Sequence, residues 1–457
     1  MGQQWPAMPP GTPMAWQEFQ LNPMSNKLVD VFGTWITNGK INDIPGAALA
    51  TMPPVINAGL DPNVVTPFVC SMPGDNGVRP GVPANFWATS LIFLVDPATG
   101  NTVTPANLAA GYEYWLVAVI GNRGANDGGR YLANNPTAAM QVSAGVMVWN
   151  SFDSPGVQLP SLSNLDVNDV NGLYEQYFLH AGHYDVVGFR LNVQTVFDGI
   201  IAALNFAVNN NGLNLGGMTP EQWVKSQPAH LCAKVVIRMQ GTSFPNFGTT
   251  PDQDARIAQK NLAPFDVNIT VSSNNPNINW KNFIVGQPIF FRLNQGEGRN
   301  TLILQTALHN ENFRFFLGVP TETFNRFFRE GGNGALKGWK VVPHEEICKG
   351  ALGEKAKPFP DAVILQLQGK ENAIEVPALP EGHFLAMSLG IEYITKGLKA
   401  GDLGELTFVQ RAVLPVIKPG TRCFELEQRT VGGFTLLLRA VDDHRGPKGE
   451  TMKYPRT

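Results

Sequence analysis

The sequence predicts an all-β chain: two immunoglobulin-like β-sandwich domains with short helical insertions, behind a Pro-rich extended N-terminal arm. Three observations predict it. The 457 residues include 47 Gly and 35 Pro, a high density of turn-forming residues. Only 16% of residues are charged while 43% are hydrophobic, the content of a folded core rather than of a disordered polymer. The apolar residues fall in short runs that alternate with period two, as half-buried strands do. A chain of this length suggests about two to four domains at roughly 100–200 residues each.

The first region, residues 1–83, is punctuated by Pro6, Pro9, Pro10, Pro13, Pro53, Pro54, Pro62, Pro67, Pro73, Pro80 and Pro83. Proline fixes φ and removes a donor, so extended chain is favoured over helix. Only LVDVFGTWI reads as a strand, and the region is expected to be an arm with little core of its own.

The second region, 84–275, is expected to be a β-sandwich. Its strands are read at TSLIFLVD, GYEYWLVAVIGNRG, AMQVSAGVMVWNSF, HYDVVGFRLNV, HLCAKVVIRM and RIAQKNLAPFDVNI. In the second of these, Tyr112, Tyr114, Leu116, Ala118 and Ile120 share one face. A helical insertion at 193–226 interrupts the strands. Val193, Phe197, Ile200, Ile201 and Leu204 recur at helical spacing before NNNG stops the run. Thr219, Pro220 and Gln222 then form the signature of a capping box with Pro in the first helical position.

The third region, 276–441, repeats the theme with PIFFRL, TLILQTALHN, DAVILQLQG, HFLAMSLGIEY, ELTFVQRAVLPVI and GGFTLLLRAV, and a helical turn after Pro320. A charged, Gly-rich insertion occupies 331–358, and residues 442–457 read as a polar tail.

Charge excludes some functions. The net charge is −3 and the pI about 6.2, so there is no basic excess to neutralise phosphates and no nucleic-acid partner is expected. No apolar run reaches the roughly 20 residues of a membrane-spanning helix. The first twenty residues have no basic region followed by an apolar one, so no secretory signal peptide is expected. Location stays open between the cytoplasm, release by another route and assembly into a larger particle. Cys70, Cys232, Cys348 and Cys423 are far apart with no C-x-x-C pair, and are expected to be free, buried thiols.

NFWATSLIFLV from Asn85, followed by LAAGYEYWLVAVIGNRG, resembles the opening of the CARDB-type immunoglobulin-like module, a cell-adhesion-related domain found in bacteria. PAHLCAKVVI with ARIAQKNLAPFDV resembles the closing strand pair, through His230, Cys232, Val235, Ala258, Gln259 and Asn261. AVILQLQG through VGGFTLLLRAV looks like the end of a second, diverged copy. The resemblance covers mainly 84–275, and it implies a non-catalytic spacer, adhesion or assembly unit. The helical insertion departs from the family's pattern.

Few residues offer chemistry. His180, His183 and Asp185 bring two imidazoles and a carboxylate into one short turn, a candidate metal set, although no fourth ligand is evident. Asp166, Asn168 and Asp169 lie in an oxygen-rich loop that is a candidate Ca²⁺ site, or a set of Asx turns. It misses the EF-hand register. His230 and Cys232 stand two apart on a strand, a conceivable nucleophile pair but more simply a packed strand. Trp87, Trp115, Trp149, Trp223 and Trp280 can line a sugar platform or fill cores. No strong catalytic motif is present, and no cofactor beyond that Ca²⁺ is expected. The expected function is a structural or assembly protein that self-associates, or docks to a larger complex, through its arm. Adhesion with glycan or ligand binding is the second reading, and a metal-dependent enzyme built on His180, His183 and Asp185 the third.

Overall fold

Apolar residues at alternate positions put the chain into sheets, and the computed structural model shows which sheets. It describes residues 65–72, 75–79, 82, 85–89, 91–98, 102–103, 111–126, 140–147, 156–160, 175–176, 181–182, 184–210, 212–226, 232–239, 250–262, 265–270, 278–286, 299–306, 313–329, 332, 334–343, 347, 361–377, 384–394, 399, 402–417 and 424–441. The expected strand PIFFRL and most of the arm, the tail and the 331–358 insertion lie outside these residues. Within them the chain is all-β with short helical insertions, as expected, and its strands pair almost entirely antiparallel. Two units separate by their contacts. One takes in Met1–Met147, Gly156–Asp198 and Cys232–Leu262; the other has Val148–Pro155, Gly199–Leu231 and Ala263–Thr457.

The first unit holds two five-stranded sheets. Its elements are β1 (Pro67–Val69), β2 (Ile92–Val95), β3 (Thr102–Val103), β4 (Glu113–Asn122), β5 (Met140–Met147), β6 (Gly156–Leu159), β7 (Glu175–Gln176), β8 (Tyr184–Asn192), and, after the helices, β9 (Cys232–Met239) and β10 (Ile257–Asn261). In one sheet β4 is central, with β8 along it from Glu113 to Gly121. Beside β4 also lie β1, at Ile120–Asn122, and β2, at Trp115–Ala118. Between them Cys70 N–H donates to Val119 O (2.9 Å), and Val119 N–H donates to Leu91 O (3.0 Å). A single ladder therefore runs along β4 although the chain leaves it at Cys70 and returns at Leu91. The second sheet has the order β10-β9-β5-β6, with β7 also on β5.

Residues 65–79 fall within the expected arm, and Phe68 and Val69 in β1 are fully buried. Three apolar residues matched to the open end of β4 outweigh the prolines around them. Pro67 itself comes first in the strand, where a missing N–H is tolerated.

The helical insertion forms as expected: α1 (Val193–Asn210) and α2 (Pro220–Ser226). Past the end of α1, Leu213 N–H reaches back to Ala207 O (3.2 Å) and Gly212 has a φ of +65°, so the chain folds back over the last turn of the helix. The capping box is made reciprocally: Gln222 N–H donates to Thr219 Oγ1 (3.2 Å), and Thr219 N–H donates to Gln222 Oε1 (2.8 Å).

The run RIAQKNLAPFDVNI, expected as one strand, is two. It breaks after Asn261 at Leu262-Ala263-Pro264, where proline has no N–H for a ladder. Its second half, β11 (Phe265–Thr270), pairs parallel with a strand of the second unit, and the contacts divide the chain between Leu262 and Ala263.

The second unit continues with β12 (Asn279–Gly286), β13 (Arg299–Thr306), β14 (Phe313–Pro320), α3 (Thr321–Phe328), β15 (Ala335–Lys337), β16 (Trp339–Val342), β17 (Ala362–Leu367), β18 (Ala373–Pro377), β19 (Phe384–Tyr393), β20 (Leu403–Ile417) and β21 (Phe424–Val441). One sheet has the order β11-β21-β20-β13-β18-β15, the other β12-β19-β14-β17-β16. A single apolar cluster joins them: Phe283, Phe315, Leu317 and Met387 from one, Leu302, Phe408, Phe434 and Leu436 from the other, with Phe324 and Phe327 of α3. The rings of Phe283, Phe408 and Phe434 lie 4.8–5.5 Å apart between the layers.

Two chain segments cross between these layers side by side. Lys337, the last residue of β15, pairs with Ala373 in one sheet, and Trp339, the first of β16, pairs with Leu367 in the other. Gly338 makes that corner alone at a φ of +69°, and a Cβ there would overlap Glu371 O. Opposite it the chain takes five residues, 368–372, to turn the same corner. Asn372 replaces the ladder there: its Oδ1 accepts from Leu304 N–H and its Nδ2 donates to Leu304 O, both at 2.8 Å.

Candidate functional site

The structure describes few of the residues singled out from the sequence. His180, His183, Asp166, Asn168 and Asp169 lie outside the described residues, as does His230. Asp185 stands in β8, where its Cα partner is Ile120. Among the described residues no group of three His, Cys, Asp or Glu is placed to hold a metal ion.

Cys232 opens β9 fully buried, with Sγ 3.1 Å from Asn261 Oδ1, to which it donates. Burial pushes its thiol well above the ordinary range, the reverse of what a nucleophile needs. The pair with His230 is thus not supported on the cysteine side. Cys232 is a core thiol, in line with the expectation that the cysteines are free and buried, and Cys70 is another.

The sugar platform is overturned for four of its tryptophans. Trp87, Trp115, Trp223 and Trp280 are each at most 7% exposed, because rings of this size contribute most by filling cores. Trp149 lies outside the described residues. The turn at Gly121–Gly124 is an Asx turn, with Asn122 Oδ1 accepting from Gly124 N–H (2.9 Å) and from Thr66 N–H (3.0 Å).

One dense polar centre was not anticipated. It gathers on Asp75, 1% exposed, just past β1. Its Oδ2 accepts from Ser71 N–H (2.8 Å), and its Oδ1 from Gly77 N–H (2.9 Å). Arg79 closes on both oxygens, Nη1 to Oδ1 at 2.9 Å and Nη2 to Oδ2 at 3.0 Å. Arg79 Nε donates to Pro251 O (2.6 Å), and Tyr184 Oη in β8 donates to Asp75 O (2.8 Å). Beneath them the Phe68 ring fills the space over Gly77, where a Cβ would come within 2.6 Å, and meets Tyr184 edge-on at 5.9 Å. Burial, then Cys70 and Asp75, push the Tyr184 phenol well above its usual range. Burial and Asp75 raise the Cys70 thiol while Arg79 opposes them.

Chemically this is a clamp. The carboxylate accepts four hydrogen bonds, two of them charge-assisted from one guanidinium, and has no open side for a substrate. The signal was present as Asp75-Asn76-Gly77, a turn sequence, with Arg79 four residues after the carboxylate.

Among the described residues the exposed large apolar side chains are Val78, Tyr112, Phe206, Val341, Ile394 and Leu426. Leu426 stands where β20 and β21 pair beyond the reach of β13, which ends its pairing at Ala412. There Glu425–Gln428 are all exposed. No described helix is long and apolar enough to cross a membrane.

No family model matches the chain, and no curated protein matches it. Among solved structures it is similar to AggA, the major subunit of aggregative adherence fimbriae type I of Escherichia coli. The TM-score is 0.18 at 13% identity, over 39% of this chain and 91% of that one. It is similar also to the MSCRAMM ACE of Enterococcus faecalis, with TM-score 0.16 and 11% identity over 73% and 92%. The collagen adhesin CNA of S. aureus gives TM-score 0.15 and 8% identity over 73% and 89%. At TM-scores this low the likenesses carry no argument about arrangement or role, and the fold is read from the strand pairing itself.

Proposed function

We propose that the chain is a non-enzymatic structural protein that self-associates or docks to a larger complex through its N-terminal segment, with its sheets built as immunoglobulin-like modules of the CARDB type. One observation carries this reading: the anchoring of that segment. Residue 65 leads directly into β1, which is buried, laddered to β4 and locked by the Asp75–Arg79 clamp. Whatever residues 1–64 bind is thereby held to the first unit by three ladder pairs and a buried ion pair. A free terminus that only frays needs no such fixing. Extended, Pro-rich segments suit docking along a neighbour's strand edge, where main-chain hydrogen bonds supply the affinity.

The test compares the solution mass of the full chain with that of a chain lacking residues 1–64, by light scattering across a concentration series. Truncation at 64 retains β1 and the clamp, whereas truncation at 80 removes them and confounds assembly with unfolding. The reading expects defined multimers from the full chain and smaller, folded species from the truncated one. Equal numbers of copies per particle for the two overturn the role of the segment, and a monomeric full chain overturns self-association. Retention of the full chain on immobilised glycan or collagen, with no multimer, would establish the adhesion reading in its place.

A further inference from the structure

The face that α1 turns outward matches itself. Thr195, Asp198, Ala202, Phe206, Asn209 and Asn210 are exposed along the helix, spaced three or four residues apart up to Asn209. Phe206 is 61% exposed, with most of its surface left in water. The 18 residues of α1 include no Lys or Arg, and Asp198 is their one charge. A typical exposed helix face carries charge of both signs, and this one has an aromatic, an alanine and amides instead.

We infer that this face is a contact between two copies of the chain, their α1 helices packed antiparallel about a two-fold axis at the level of Leu204. The inference rests on the self-association reading and names a contact for it outside the N-terminal segment. Three features of the stripe select a second copy as the occupant. An axis at Leu204 sets Ala202 of each helix opposite Phe206 of the other, so the large ring meets a small residue rather than another ring. The same axis sets Asp198 opposite Asn210. Asp198 Oδ1 accepts from Gln194 Nε2 (2.8 Å), leaving its second oxygen as an acceptor. Asn210 Nδ2 donates to its own Phe206 O (3.0 Å) and keeps a second N–H to give. Antiparallel packing also brings opposite dipole ends together, whereas parallel packing would put the two carboxylates side by side. To a charged partner the stripe offers only the single carboxylate of Asp198.

The helix is about 27 Å long at roughly 1.5 Å per residue. One such face covers less than the roughly 800 Å² per partner of a standard stable interface. The contact is therefore concentration-dependent.

Phe206→Glu tests it, with Phe206→Ala as the milder variant and circular dichroism as the check on folding. Phe206 is exposed, so both variants are expected to fold. The concentration at which the full chain associates is read by light scattering, and the expected result is a rise of about tenfold or more for Phe206→Glu, the scale of a hot-spot residue. In a second measurement, chains bearing Ala202→Cys are mixed with chains bearing Phe206→Cys and treated with a short thiol crosslinker. Peptide mapping is expected to find the 202–206 link between chains. If the full chain associates with an unchanged midpoint in Phe206→Glu and no 202–206 link, this contact is overturned while self-association stands. If the full chain is monomeric throughout, both fall together.

Discussion

The two units reach stability by different means. In the first, β1 and β2 share the flank of β4, and a buried carboxylate, a guanidinium and a phenol hold the intervening chain. In the second, the sheets enclose one aromatic core, and the hardest local problem, turning two strands between layers, is solved by Gly338 and the Asn372 amide. A hydrophobic core tolerates exchange of one apolar residue for another, because burial is roughly proportional to area. A buried charge does not, since removing one partner strands the other. The first unit should therefore be brittle at one point and the second more evenly supported.

The largest expected effect breaks the clamp. Asp75→Ala leaves the buried Arg79 without its partner and should cost about 3–5 kcal/mol. Segment-resolved hydrogen exchange should show lost protection in β1, β4 and β8 and none in β13 or β19. Phe408→Ala, of similar size at about 3–5 kcal/mol, should show the mirror pattern. Loss of protection in both units from either variant would refute their independence.

Gly338→Ala comes next. It places a Cβ at positive φ against Glu371 O, costing about 1–3 kcal/mol for the backbone alone, and should loosen β15 and β16 ahead of the rest of the second unit. Asn372→Ala strands the Leu304 N–H and C=O and should cost about 1–3 kcal/mol in the same unit.

Alkali sharpens the comparison. Cys70, Cys232 and Tyr184 all have raised native pKa values, so the native state holds protons that the unfolded state releases. Their stabilisation is complete below the ordinary values of 9.0 for Cys and 10.0 for Tyr and is lost as pH rises past them. Lys260, lowered by burial from 10.5 to about 8, works the other way: stability is gained between those two values. Urea melts of Lys260→Met should thus fall more steeply with pH above 9 than those of the parent. Each uncompensated proton is worth about 1.4 kcal/mol per pH unit. The smallest effect belongs to the solvent-exposed Lys337–Glu371 pair, where Glu371→Gln should leave the melting transition of the second unit unmoved.

How much of this was legible follows from which interactions are local. Strand alternation marked β4, β5, β9 and β19, and the capping box at Thr219 and Gln222 was read residue for residue, since both signals lie within a few positions of sequence. β1 was missed because three residues have no period to detect; what makes them a strand is β4, some fifty positions on. The break between β10 and β11 was missed because both halves are strands and only their partners differ. The clamp was missed for the same reason: Asp75 and Arg79 read as a polar turn until Tyr184, 109 residues away, closes over them.

The long pairing of β20 with β21 sets a timetable for biosynthesis. These strands lie inside the six-stranded sheet, second and third in its order, yet they are the last described elements to be translated. Gln410 reaches its partner Asn300 across 110 positions, so β13 has left the ribosome's active centre roughly 5–20 s before β20 exists to pair with it. During that interval the rings of Phe283, Phe313 and Phe315 have only half a core to enter. The second unit must therefore complete itself late, and nascent chains stalled before residue 403 should be the ones that chaperones hold.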